Sequence, residues 1–165
     1  MDKLCIVVAD ARIAKVYGVE RIDSPRVQFA LMELAQLTNE TDLKVLGSSV
    51  TGRVRTETNT NRGSGPVHPM GAQRERHRVE LERRFGMELV KQTIALTGGW
   101  KRGTVVLIAA PHLLGLMREP MRRVLHDGIA LKELAKDYTQ MSADDLRERL
   151  IQDHLLPAPG SAAEN

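Results

Sequence analysis

Aromatic side chains are scarce: Tyr17, Phe29, Phe85, Trp100 and Tyr138 are the whole set in 165 residues. That scarcity argues against the stacking platforms on which many single-strand-binding proteins lay successive bases. Cysteine is rarer still. Cys5 stands alone in an apolar run, so no disulfide framework can form and a reducing compartment is expected. Long apolar runs are lacking too. The start, MDKLCIVVAD, is too short in apolar residues for a signal peptide, and no stretch suffices to span a bilayer. A soluble, cytoplasmic protein with no membrane partner is expected. The five histidines, His68, His77, His112, His126 and His154, show no metal-ligand spacing, and one cysteine does not complete a zinc site. Glycine-rich phosphate loops and nucleophile elbows are missing as well. No metal, cofactor or small-molecule cofactor partner is expected, and nothing sets an oligomeric state.

What the chain does have is lopsided charge. Residues 51–103 carry eleven Lys/Arg against five Asp/Glu, or +6, while the remainder carries thirteen against sixteen, or −3. Such a patch attracts phosphate backbones and fades with salt. The alternative is a solvated helix face laced with Arg/Glu pairs. Glu80 lies four residues before Arg84, and Arg78 four before Glu82, which is the spacing such pairs need.

Periodicity orders the rest. LCIVVAD (4–10) reads as a buried strand, ARIAKVYGVE as a strand paired to it, and VQFALMELAQL as a third antiparallel strand after a Ser24-Pro25 turn. Residues 38–71 have almost no apolar periodicity, and a flexible insertion is expected at about 45–72. From about Gln73 a helix follows, with Leu81, Phe85 and Leu89 at steps of four and Val90 and Ile94 beside them. Its charged first turns should project beyond the core, and Gly98-Gly99 should stop it. TVVLIAA (104–110) reads as a central strand buried on both faces. Pro111 opens a helix, a separate short helix is expected over Met121–His126, and 129–138 reads as a last strand. Ser142 caps a helix reaching about Asp153. The sum is one domain over 1–156 with a frayed tail over 157–165. Its order β-β-β-α-β-α-β-α describes an α/β sandwich, an antiparallel meander followed by parallel crossovers, as in ribonuclease H-like three-layer folds.

Several strings carry a family resemblance. VVADARIAKVY, VLIAAPHLLGLMR and LAKDYTQMSADDLRERL resemble the bacterial host-attachment protein family. That family's pattern has a first strand ending Ala-Asp-Ala, a central strand ending Ala-Pro before Leu-Gly-x-x-Arg, and a Lys-Asp-Leu-Thr string before the last helix. Here these correspond to Ala9-Asp10-Ala11, to Ala110-Pro111 with Leu114, Gly115 and Arg118, and to Lys136-Asp137-Tyr138-Thr139, where Tyr138 departs from the usual Leu. The family in turn resembles the middle domain of archaeal and eukaryotic class I peptide-release factors. Those carry a Gly-Gly-Gln tripeptide at a loop tip just before a long basic helix. At the equivalent place this chain has Gly71-Ala72-Gln73, then RERHRVELERRF.

The resemblance implies a ribosome- or tRNA-binding translation factor of rescue or hibernation type. It would place Gln73 near the peptidyl-tRNA ester, with hydrolysis as the implied reaction. Arg53, Arg55, Arg62, Arg74, Arg76, Arg78, Arg83 and Arg84 would then grip RNA phosphates. Ala72 breaks the pattern: if that position needs φ > 0, its Cβ carries a steric penalty that glycine avoids. A non-catalytic occupant fits Ala72 better than a hydrolase. A different class of reading is a non-enzymatic interaction protein with a cytoplasmic protein partner. Asp10 raises a nuclease reading, but a two-metal site needs further carboxylates converging on it, and the central strand ends without one. A turn role for Asp10 is expected instead. For Lys136 and Asp137 a buried ion pair or a helix-entry role is expected.

Overall fold

The computed structural model describes residues 2–39 and 68–160. Five strands form one mixed sheet: β1 (Lys3–Ala9), β2 (Ile13–Ile22), β3 (Gln28–Thr38), β4 (Gly103–Ala109) and β5 (Ile129–Leu134). Their spatial order is β3-β2-β1-β4-β5, with β1, β2 and β3 antiparallel in turn and β1, β4 and β5 parallel. Three helices belong to the described residues: α1 (His68–Thr97), α2 (Pro111–Val124) and α3 (Ala143–Gln152). The expected α/β order and the meander-then-crossover pattern are therefore present.

Strand alternation builds two cores. On β4, Val105, Leu107 and Ala109 face one side and Val106 and Ile108 the other, and all five are buried. The first side packs under Phe85, Leu89 and Val90 of α1 and Leu113, Leu114, Met117 and Met121 of α2. The second packs under Leu146 and Leu150 of α3, with Tyr138 and Leu156. Helices thus cover both faces of the sheet, as a strand buried on both sides requires. The two helices on the first face come close at Gly86, where a Cβ would lie 3.3 Å from the Met117 side chain.

Four boundaries differ from the sequence reading. α1 starts at His68, so residues 68–72 are helical and do not belong to the expected insertion. Pro69 is no obstacle there, because a helix's first turn does not use that N–H. α2 runs unbroken through Pro120, and the separate helix over 121–126 does not exist. The stripe Leu113, Leu114, Met117, Met121 is continuous across the proline, and burying it outweighs one missing backbone bond. β5 ends at Leu134, after which the chain turns away so that Tyr138 Oη donates to Asp153 Oδ2 at 3.0 Å. Past α3, residues 157–160 are placed, and Gly160 N–H donates to Val27 O at 2.9 Å. α3 itself opens as expected, with Ser142 Oγ accepting from Asp145 N–H at 3.1 Å.

Candidate functional site

The carboxyl ends of β1 and β4 are neighbours, and the chain leaves them in opposite directions, toward β2 from one and through α2 toward β5 from the other. Crevices outside such ends are where open α/β sheets take ligands. Asp10 follows β1, Ala110-Pro111-His112 follow β4, and Asp137 to Thr139 follow β5, so the family-like strings gather on this one edge.

Each of these groups has a traceable job. Asp10 Oδ1 accepts from the N–H groups of Arg12 (2.7 Å) and Ile13 (2.8 Å), making the β1–β2 turn expected from sequence. Its Oδ2 lies 3.1 Å from Thr139 Oγ1, and the same hydroxyl lies 2.7 Å from Asp137 Oδ1. A hydroxyl has one proton, so it donates to one carboxylate at a time. Asp137 Oδ1 also accepts from Thr139 N–H at 3.1 Å. Asp137 is therefore a turn-former bound to Thr139, neither ion-paired to Lys136 nor at the entry of α3, which Ser142 caps. Among the described residues no three His, Cys, Asp or Glu side chains converge as a metal site needs. Arg118, from the Leu-Gly-x-x-Arg string, reaches β5: its Nε and Nη2 donate to Glu133 at 2.8 and 2.6 Å. That pairing, led by the hydrogen bond from Arg118, holds the Glu133 carboxyl below its usual range.

α1 brings the basic charge to the same edge. Thr97 leads into the amino end of β4, so the amino half of α1 lies toward the carboxyl end. Thirty helical residues span about 45 Å, whereas the seven of β4 span roughly 23 Å. The first turns must overhang. Residues 71–78 are all exposed, and burial begins at Leu81. At the junction Glu82, 7 % exposed, contacts His112 Nδ1 at 3.0 Å and Arg78 Nη1 at 3.4 Å, fastening the root of the overhang to the start of α2.

The arginines of this arm divide into two groups. Arg78 also binds Glu75 at 2.6 Å, and Glu80 holds Arg83 at 2.9 Å and Arg84 at 3.2 Å. Hydrogen bonding, first from Arg83, lowers the Glu80 carboxyl to about 2. The expected pairs Glu80–Arg84 and Arg78–Glu82 are both present. Arg74 and Arg76 have no carboxylate partner among the described residues and stand exposed beside Gln73. Arg53, Arg55 and Arg62 lie outside the described residues. Gly71-Ala72-Gln73, expected at a loop tip, lies inside α1. Among the described residues the one non-glycine with positive φ is His154, so Ala72 bears no left-handed strain, and a Cβ on Gly71 would meet nothing within 4 Å.

Sequence reasoning missed two contacts, that of Glu82 with His112 and that of Thr139 with Asp10. Glu82 had a signal, since it flanks the Leu81–Phe85–Leu89 stripe and must turn toward whatever packs there. The link between Thr139 and Asp10 spans 129 positions and left no local trace.

Fold and site together define a mixed-sheet α/β domain with a basic helical arm overhanging the carboxyl edge. The chain belongs to the family described as "Protein required for attachment to host cells", whose model matches residues 5–150. Among curated proteins nothing matches it. No helix of the described residues is long and apolar enough to cross a membrane.

Proposed function

We propose that this protein is a cytoplasmic, RNA-directed factor of the ribosome-rescue or hibernation type. It would be built on a ribonuclease H-like domain related to the middle domain of class I release factors. The observation that carries this reading is the arm: eight consecutive exposed residues over which Arg74 and Arg76 are free for phosphate and Gln73 stands between them and the tip. Lys and Arg clustered along one projecting helix are the electrostatic footprint of a nucleic-acid binder. Occupancy suits the geometry better than hydrolysis. An α-helix commits the N–H of Gln73 to the carbonyl four residues earlier, leaving none for a developing oxyanion. Ribosome co-sedimentation at low salt tests the proposal. Association that disappears with Arg74→Glu/Arg76→Glu and persists with Gln73→Ala is the expected result; no association in any ribosome state sinks it.

A second reading, a non-enzymatic interaction protein, fits the family description and has its own observation. Met32 and Leu34 on the edge strand β3, a different element from the arm, are 47 % and 45 % exposed. Met32→Glu/Leu34→Glu separates the two: it should abolish capture of a protein partner and leave ribosome association intact.

A further inference from the structure

Beyond their close crossing at Gly86, α1 and α2 part toward their carboxyl ends and leave a groove of about 530 Å³. Its floor comes from Met87, Val90 and Ile94 of α1 and Val124 of α2. On α1 these positions step by three and four, continuing the helix's buried stripe outward, and Val124 is 51 % exposed. Lys91 and Arg123 stand on the two walls, and among the described residues no acidic side chain lines the groove. Arg123 has no carboxylate partner among the described residues. Lys91 reaches Glu88 only at 3.9 Å, with both side chains largely exposed, a contact of little strength.

We infer that this groove receives an acidic amphipathic helix of a protein partner, its apolar stripe on Met87, Ile94 and Val124 and its carboxylates meeting Lys91 and Arg123. Three arguments select that occupant. Charge complementarity is the first: an apolar floor walled by one unpaired and one weakly paired cation matches an apolar stripe flanked by Asp or Glu. Second, a two-fold dimer that laid one groove on the other would crowd two copies each of Lys91 and Arg123 around one apolar contact, a like-charge arrangement that costs affinity. Among the described helices none has a spare acidic stripe to donate, since Leu146 and Leu150 of α3 are already buried in their own core. Third, small-molecule sites place a few convergent polar groups in an apolar cavity. Here, among the described residues, the two cations are the only charged or polar side chains in the lining, and both sit on long flexible stems. The inference concerns the opposite end of α1 from the arm and does not depend on RNA binding.

The test uses the full chain and synthetic helical peptides of about sixteen residues, long enough for four turns. One carries a leucine stripe at three- and four-residue steps flanked by glutamates, a second has lysines for the glutamates, and a third scrambles the stripe. Fluorescence anisotropy should show the glutamate peptide binding at least about tenfold tighter than either control. Lys91→Glu/Arg123→Glu should reverse the preference between the charged peptides, and Val124→Glu should weaken the glutamate peptide about tenfold or more. Arg74→Glu/Arg76→Glu should change nothing. Ala95→Glu, on the exposed lip of the same groove, replaces Val124→Glu if that variant melts early. Equal binding of both charged peptides, no binding, or unaltered affinity in the groove variants overturns the proposal. So does a dimer in sedimentation that Val124→Glu dissociates, which would make a second copy the occupant.

Discussion

Thr139 and Asp10 are joined by a 3.1 Å contact from Thr139 Oγ1 to Asp10 Oδ2, although 129 positions separate them. The bond fastens the segment after β5 to the turn after β1, across the carboxyl end of β4 that lies between. Thr139 is 3 % exposed, so its hydroxyl cannot simply exchange these acceptors for water. Thr139→Val keeps the shape and removes the donor. It should destabilise the protein by about 1–3 kcal/mol in urea unfolding, whereas Thr139→Ser should retain most of that stability.

Glu133 gives an acid-sensitive contribution. The hydrogen bond from Arg118 lowers its carboxyl below the ordinary value of 4.5, so the folded state holds its charge more firmly than the unfolded chain does. Stability from this pair is therefore present above pH 4.5 and is lost as pH falls through the lower, folded value. In thermal melts across pH, wild type and Glu133→Gln should differ at neutral pH and converge in strong acid. A gap that stays constant throughout would reject the assignment.

Gly86 tests the helix crossing. Alanine there gains up to about 1 kcal/mol of helix propensity but sets its Cβ 3.3 Å from Met117 Cγ, which a flexible methionine can relieve. Gly86→Ala should thus come out within about 1 kcal/mol of wild type, and Gly86→Leu should lose about 1–3 kcal/mol by overpacking, read from denaturant midpoints.

Arm charges should act on binding and not on folding. Reversing Arg74 and Arg76, which touch no carboxylate of the described residues, should leave the melting temperature unchanged. If both contact phosphates, neutralising them as Arg74→Gln/Arg76→Gln should reduce the slope of log affinity against log salt by about 1.4–1.8, read by titration against ribosomal or transfer RNA.

Cys5 reports on unfolding. Burial pushes its thiol up to about 12, and the residue is 1 % exposed in the first core. A thiol reagent at neutral pH should label it only as fast as the core opens, with rates that follow global stability across denaturant concentrations. Rapid labelling of the native protein would mean that β1 is accessible.

Much of the layout was readable because each element announces one periodicity. The run at 104–110 is apolar at every position, as only a strand covered on both faces can be, and β4 is that strand. The four-residue steps of Leu81, Phe85 and Leu89 gave α1 its buried side. Its start was hidden because Pro69 and Gly71 resemble loop residues, yet neither disturbs a first helical turn. Pro120 misled in the same way, with the decision falling to tertiary burial of Met117 and Met121. At the site, the arginine–glutamate pairs follow from spacing along one helix and were legible. The Glu82–His112 contact depends on how two helices pack, and the Thr139–Asp10 contact on how two loops meet, so in neither case could the partner be read from local spacing.

Seen mechanically, α1 is a lever. Its fulcrum is the crossing at Gly86, tied down on the arm side by the Glu82–His112 contact. Gln73 lies thirteen residues out on one side, roughly 20 Å along the rod. Ile94 lies eight residues out on the other, roughly 12 Å. The two sides are unlike: the arm stands free, whereas Leu89, Val90 and Ile94 bed the short side in the first core, so a load on the arm is resisted there and is not passed on to the groove.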